Sequence, residues 1–268
     1  MSPPDAPPFT AIVLAAQRAG RVDPLAADAG VANKSLVAIA GAPLIRHVVE
    51  ALFATPGLSR VRIVVEPQTL AAIQAILPRG PAPVDFVDAA DNLADSVYAA
   101  AAGVDQPMLV TTSDNVLLTP GAVLAVLAPL AAGADVTLAL ATQAAVLAAH
   151  PEGQRRFYRF SDEAYSNCNL YALGGISAMR VAESFRSGGQ FAKKPLRMIV
   201  ALGPITLALM LMKQLSVRGA LRRLARRFRL TVEPVILADG AHAIDVDNAR
   251  TYACAEMLLT RRREALAA

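Results

Sequence analysis

Along the chain, short continuous apolar runs alternate with stretches in which apolar residues recur every three or four positions. Ala11–Ala16 (AIVLAA) is a β-branched apolar run starting near Phe9. A loop holding Gly20, Pro24 and Gly30 follows, which is how a buried parallel strand ends. From Pro43 to Phe53, Leu44, Ile45, Val48, Val49 and Leu52 fall at helical spacing, with proline at the first turn. VRIVV at 61–65, Val84–Val87 and PMLVTT at 107–112 read as further strands, and Thr69–Leu77 and Asp95–Gly103 as the helices between them. This alternation with short loops predicts a three-layer α/β/α, Rossmann-like fold around a mainly parallel central sheet.

The second half is less regular. A helix is expected over 120–132, a strand over 135–141, strands at 157–160 and 169–173 flanking a turn at 161–163, and a helix over 177–186. The apolar run Met198–Met212 is too short to span a bilayer and is broken by Gly203 and Pro204, which favours a buried helix pair. Ser216–Phe228 reads as an amphipathic helix with Arg218, Arg222 and Arg226 on one stripe, Val232–Leu237 as a strand, and Asn248–Leu266 as a closing helix. Neither an internal repeat nor a linker divides the chain. The expectation is one domain over 1–268, with residues 1–8 a flexible Pro-rich tail.

Composition narrows the classes. With 54% hydrophobic and 18% charged residues in 268, extensive disorder is excluded. Cys168 and Cys254 cannot build a disulfide framework, and His47, His150 and His242 are too far apart for a sequence-local metal pair. MSPPDAPPFT has neither a basic nor an apolar region of a targeting peptide, so the reading is a cytoplasmic enzyme. The net charge of +4 conceals a segregation: 11 Lys and Arg lie between Ser184 and Val232, with no Asp or Glu among them. No aromatic-interleaved motif accompanies this cluster, which argues against nucleic acid as a partner. A contact between 196–230 and an anionic membrane is the sharper reading, core packing with a solvated basic face the plainer one.

Open α/β sheets bind ligands outside the carboxyl ends of their strands, so the loops there hold the candidate chemistry. Ala15-Ala16-Gln17-Arg18-Ala19-Gly20-Arg21, followed by Asn33-Lys34-Ser35, is a small-residue turn with cations suited to phosphates. Asp114 arrives directly after a hydrophobic strand, either to hold Mg²⁺ or to cap the helix near Pro120. Asp245 and Asp247, two apart on an extended stretch, would share one face and invite a divalent cation; alternatively Asp247 caps the last helix and Asp245 faces solvent.

The order LAAQRAGRVDPLA, NKSLVAIAGAPLIRHVVEAL, DSVYAAAAG, VTTSDNVLLTP, NCNLYAL and AIDVDNARTYACAEMLL resembles the MobA-like NTP transferases, nucleotidyltransferases of the GT-A, Rossmann-like fold. The resemblance spans nearly the whole chain. It implies that 9–135 is the nucleotide-binding half and 136–268 the acceptor-binding half, with the basic helical segment 190–230 inside the latter. Carried over, Ala15, Ala16, Arg18, Gly20, Asn92 and Ser96 would bind the nucleotide. Arg21, Lys34 and Asp114 would act in catalysis, and Asp114, Asp245 and Asp247 would hold Mg²⁺. Gln17 stands where the family has glycine. FYRFSDEAYSNCNLYAL and KKPLRMIVALG are similar to a longer-loop subgroup, and Asn167, Asn169, Lys193 and Lys194 are the acceptor-binding candidates.

The implied reaction transfers NMP from an NTP, CTP or GTP, to a phosphorylated sugar, alcohol or cofactor with release of pyrophosphate. A non-catalytic nucleotide or sugar-nucleotide binder and a GT-A glycosyltransferase are the alternatives. The late position of the acidic pair favours nucleotidyl transfer over glycosyl transfer. Localisation would be cytoplasmic or peripheral to the inner face of the membrane.

Overall fold

The computed structural model describes residues 7–17, 23–185, 206, 208, 209, 212 and 214–267. Its elements, numbered among those residues, begin with β1 (Phe9–Leu14), α1 (Pro24–Asp28), a 3₁₀ turn (Lys34–Leu36), the hairpin β2 (Ala38–Ile39) and β3 (Ala42–Pro43), and α2 (Leu44–Phe53). There follow β4 (Leu58–Val65), α3 (Pro67–Ile76), β5 (Val84–Asp88), α4 (Leu93–Ala101), β6 (Met108–Thr112), α5 (Pro120–Ala131), β7 (Val136–Thr142) and α6 (Gln143–Ala149). The chain continues with β8 (Tyr158–Arg159), β9 (Ala164–Leu173), a 3₁₀ segment (Ile176–Phe185), α7 (Val217–Phe228), β10 (Val232–Ile236), a 3₁₀ turn (Gly240–Ala243) and α8 (Ala249–Ala267).

The sheet runs β10-β7-β9-β6-β1-β4-β5, with β8 paired to the outer end of β9. Pairs β1–β4, β1–β6, β4–β5 and β7–β10 are parallel, whereas β9 is antiparallel to β6, β7 and β8. The expected mainly parallel sheet is therefore present, with one reversed strand between β6 and β7. β1 alternates between two cores. Ala11 and Val13 join a cluster with residues of α2, α3, α5, α6 and α8 on one face, and Ile12 joins one with residues of α4, the 176–185 segment and α7 on the other. Fully burying a side chain such as Val13 or Ile12 contributes roughly 1.5–3 kcal/mol over exposure, so a continuous apolar run is what a strand covered on both faces requires.

The structure corrects several boundaries. The strand expected at 169–173 is the ten-residue β9, and residues 176–185 form a 3₁₀ segment instead of an α-helix. The short α1 and α6 and the hairpin β2–β3 escape the apolar pattern because two to seven residues hold too little periodicity to see. Most of the apolar run 198–212 lies outside the described residues, so the helix pair expected there does too. Among the described residues no helix is long and apolar enough to cross a membrane.

Candidate active site

β1 is flanked by β4 on one side and β6 on the other, so the chain switches direction across the sheet between β1 and β6. A crevice opens outside their carboxyl ends at such a switch point. Ala15–Gln17 leave β1 there, and Ser113–Asn115 leave β6. The two loops are tied together: Ser113 N–H donates to Leu14 O (3.1 Å), and the hydroxyls of Ser35 and Ser113 share a hydrogen bond of 2.7 Å.

Lys34 enters from the 3₁₀ turn. Asn33, fully buried, caps that turn by accepting from Ser35 N–H (2.7 Å) while its amide donates to Ala15 O (3.0 Å) and Glu66 Oε2 (3.2 Å). The hairpin behind the turn is held by α8, where Tyr252 OH donates to Ala38 O (2.8 Å) and Arg263 donates to Ala40 O. Ala40 and Gly41 both have positive φ (47° and 81°), the pattern of a two-residue type I′ hairpin. Lys34 thus reaches the crevice on a doubly anchored support. Its Nζ contacts Asp114 Oδ2 and lies 3.6 Å from Asp247 Oδ1. Burial disfavours the ammonium, but the Asp114 carboxylate, with Asp247 and Asp23 behind it, outweighs burial and holds its pKa up at about 12.

The late aspartates arrive through the backbone. Val246 N–H donates to Asp114 O (3.2 Å), docking the 244–247 loop onto the end of β6. This stretch is not extended as the sequence suggested: Asp247 N–H turns back to Asp245 O (2.9 Å), leaving Asp245 buried and Asp247 exposed. Nor do the aspartates serve as helix caps. Thr119 caps α5, and Asn248 accepts from Arg250 and Thr251 N–H at the start of α8. Burial first, then the charges of Asp114 and Asp247, push the Asp245 carboxyl well above the usual carboxylate range, with Lys34 opposing.

β9 contributes through a bulge. Its register to β7 slips between Leu138 and Leu140, and Asn169 sits there at φ 47°. Its amide donates to Asp245 Oδ2 (2.6 Å) and its carbonyl oxygen accepts from Asn167 Nδ2 (2.8 Å), which also meets Tyr171 OH (2.5 Å). Asn115 stitches β6 to the same bulge by donating to Cys168 O and Thr111 Oγ1, both at 3.1 Å.

The donor set fits a hard divalent cation. Asp114 Oδ1 and Asp245 Oδ1 are buried without a hydrogen-bond partner, and carboxylate oxygens are what such ions take. Among the described residues, no three Asp, Glu, His or Cys side chains are gathered so as to hold a metal alone. Asp114, Asp245 and Asp247, expected from the resemblance to hold Mg²⁺ together, are therefore not gathered into a complete ligand set, and a Mg²⁺ here would need water and substrate phosphates to fill its shell.

Of the other sequence candidates, Ala15 is buried and Ala16 exposed at the mouth of the β1 loop. Asn92 caps α4, with its amide on Asp95 Oδ2 (2.6 Å), and the buried Ser96 hydroxyl holds Ala90 N–H (3.0 Å), so both shape the 89–92 loop. Arg18, Gly20, Arg21, Lys193 and Lys194 lie outside the described residues. Cys168 is fully buried and its thiol is pushed up by burial, as expected of a small core residue. Sequence reading placed Asn33, Ser35, Ser113 and Asn115 in the candidate loops without giving them a role, and missed Glu66. Only Asn33 had a visible signal, a capping residue directly before Lys34-Ser35. Gln17 ties the end of β1 to described residues on both sides: its amide donates to Ala32 O (2.7 Å), its carbonyl accepts from Asp23 N–H (3.2 Å), and its backbone N–H meets Glu66. An open cleft of about 520 Å³ lined by Gln143, Leu147, Arg155, Arg156, Phe157 and Arg159 shares no residue with this site.

A doubly wound sheet with a small-residue loop after β1, a lysine behind it and carboxylates after β6 defines the nucleotide-handling class of α/β transferases. The MobA-like NTP transferase domain matches residues 11–164, more than half of the chain, and the protein belongs to that family. No curated protein matches the sequence. Among solved structures, a hypothetical transferase from Thermus thermophilus is similar at 23% identity and a TM-score of 0.72, covering 92% of this chain and 100% of that one. A CMP:2-keto-3-deoxy-manno-octonic acid synthetase complexed with CTP is similar at 15% identity and a TM-score of 0.59, covering 95% and 99%. The 4-diphosphocytidyl-2C-methyl-D-erythritol synthase of Anaerococcus prevotii is similar at 10% identity and a TM-score of 0.58, again over 95% and 99%. By this family membership the protein is a nucleotidyltransferase.

Proposed function

We propose that the protein transfers NMP from an NTP to a phosphorylated small-molecule acceptor, with Mg²⁺ held by one or two of the carboxylates Asp114, Asp245 and Asp247. The observation that carries this reading is Lys34 set between Asp114 and Asp247, beside a buried Asp245, with one oxygen of Asp114 and one of Asp245 left unpartnered. An oxygen of the acceptor phosphate attacks the α-phosphorus in line, and the bond from that phosphorus to the bridging oxygen breaks as pyrophosphate leaves with the electron pair. The acceptor is already a nucleophile, so no general base is required; the protein supplies position and positive charge. Lys34, charged throughout the physiological range, offsets the charge that builds on the α-phosphate and leaving group. Mg²⁺ bound by these carboxylates would orient the triphosphate and stabilise the same charge.

Ala15, Ala16, Arg18, Gly20 and Arg21 are assigned to the phosphates, and the loop shaped by Asn92 and Ser96 to the base. The acceptor is assigned to the β9 side, and Lys193 and Lys194 are kept as acceptor candidates on the sequence resemblance alone. Asn167 and Asn169 carry a revised role there. Their amides are occupied by one another, Tyr171 and Asp245, so they orient Asp245 instead of reaching an acceptor directly. The nucleotide proposed is CTP, in keeping with two fold neighbours named for cytidine nucleotides.

Thermal stabilisation by each of the four NTPs, with and without Mg²⁺, tests the reading. One NTP should give a Mg²⁺-dependent rise in melting temperature that Asp114→Ala abolishes. Turnover with a matching acceptor should fall at least about a hundredfold in the same variant. Absence of a shift with every NTP would overturn the proposal.

A further inference from the structure

Helix α7 spans twelve residues, VRGALRRLARRF, and contains no acidic side chain. Val217, Ala220 and Ala225 are buried, with Leu221 packed against the core beside them, so the helix is fixed to the sheet through its apolar stripe. Arg218, Arg222, Arg223, Arg226, Arg227 and the C-cap Arg229 are exposed. Arg218 pairs with Glu233 of β10. Arg222, Arg223, Arg226 and Arg229 have no ion-pair partner among the described residues. Four cations on one short helix face repel one another, and no described acidic side chain forms an ion pair with them.

The neighbouring surface adds an apolar component. Five large aliphatic side chains are exposed among the described residues; two belong to elements beside α7, and a third precedes it in the chain. Ile176 lies in the 3₁₀ segment that touches α7, Ile236 in the edge strand β10 beneath it, and Met212 five residues before its start. The one aromatic side chain of α7, Phe228, is half-buried, which makes the helix a poor stacking platform for single-stranded nucleic acid. Guanidinium groups beside scattered aliphatic side chains match the headgroup region of a bilayer, with anionic phosphates outside and acyl chains beneath.

We propose that α7 is a docking surface for anionic lipid, holding the enzyme peripherally on a membrane. The charge segregation along the chain agrees with it, since 184–232 carries all its charges with one sign. Attachment is reversible and electrostatic: the helix is short, its apolar stripe is already used by the core, and each basic residue near an anionic surface contributes about a fivefold gain in partition.

The test is co-sedimentation of native protein with vesicles of phosphatidylcholine containing about one third phosphatidylglycerol. Binding is expected at low salt, release as salt is raised, and no binding to pure phosphatidylcholine. Arg222→Gln with Arg226→Gln, which removes two solvated charges and touches no proposed catalytic group, should weaken partition about thirtyfold with an unchanged melting temperature. The salt dependence of native protein reads the same interaction without any substitution. Native protein that stays in the supernatant with anionic vesicles overturns the proposal, as does a double variant that partitions like native. Tighter binding to a single- or double-stranded oligonucleotide than to the vesicles overturns it as well.

Discussion

Asn169 joins backbone geometry to the carboxylate cluster. Its φ of 47° is a conformation that asparagine tolerates better than most side chains, and its amide is the described partner of Asp245 Oδ2. The two contributions separate by substitution. Asn169→Gly keeps the backbone relaxed and removes the amide, whereas Asn169→Ala removes the amide and adds left-handed strain. Chemical denaturation should therefore rank native above Asn169→Gly above Asn169→Ala, with about 1 kcal/mol between the last two. Equal losses would mean that the strain at 169 is relieved elsewhere. From sequence alone this residue was an acceptor-binding candidate within NCNLYAL, and its hold on Asp245 was not legible. Neither the bulge nor the hydrogen bond to a residue 76 positions away leaves a local signature. Lys34 and Asp114 were legible for the opposite reason, since a cation after a small-residue turn and an acid ending an apolar strand both follow from chain order.

Among the elements, the join between α6 and the 240–243 turn decides how Asp245 is presented. A side-chain carbon on Gly240 would lie 2.2 Å from the backbone of Ala145 and Val146, so the turn and the helix touch main chain to main chain. Neither backbone can yield as a side chain would. Gly240→Ala is expected to cost on the order of 1–3 kcal/mol and to weaken the Mg²⁺-dependent stabilisation by NTP, because the turn that sets Asp245 is displaced. Urea denaturation and the thermal-shift assay read the two effects; a variant as stable as native would show that the contact is slack. Strands and long helices were legible because their apolar periodicity is strong. Contacts like this one were not, since a glycine ahead of AHAIDVD looks the same whether it meets solvent or another backbone.

For the molecule as a whole, acid stability should carry the mark of one histidine. His242 is buried, with Nδ1 unpartnered and Nε2 3.4 Å from Thr119 Oγ1. Burial depresses its pKa below the ordinary 6.5, opposed by Asp239 and aided by Arg262. The folded state holds the neutral ring where the unfolded chain would already bind a proton. Its contribution is therefore fully present above about pH 7 and is lost as pH falls below 6.5 toward the depressed value. His242→Gln should flatten that part of the stability profile, measured by denaturation between pH 5 and 8 at about half-unit steps. An unchanged slope would assign the acid sensitivity to other groups. The alternating strands and helices had already announced the three-layer architecture, but the order of strands across the sheet is a property of crossovers that periodicity does not encode.

That order has a consequence for how the polypeptide is made. β6 and β7 are built by residue 142, yet both bond to β9, which begins only at Ala164 and closes at Leu173. On a growing chain, these two strands keep open hydrogen-bonding edges lined by Met108, Val110, Val136 and Leu138 until a later, oppositely directed segment slots between them. The family match ends at residue 164, where that closing strand starts. Sheet completion must therefore wait for the ribosome to deliver the second half, and the interval before β9 arrives is when nascent chains are most open to pairing with one another.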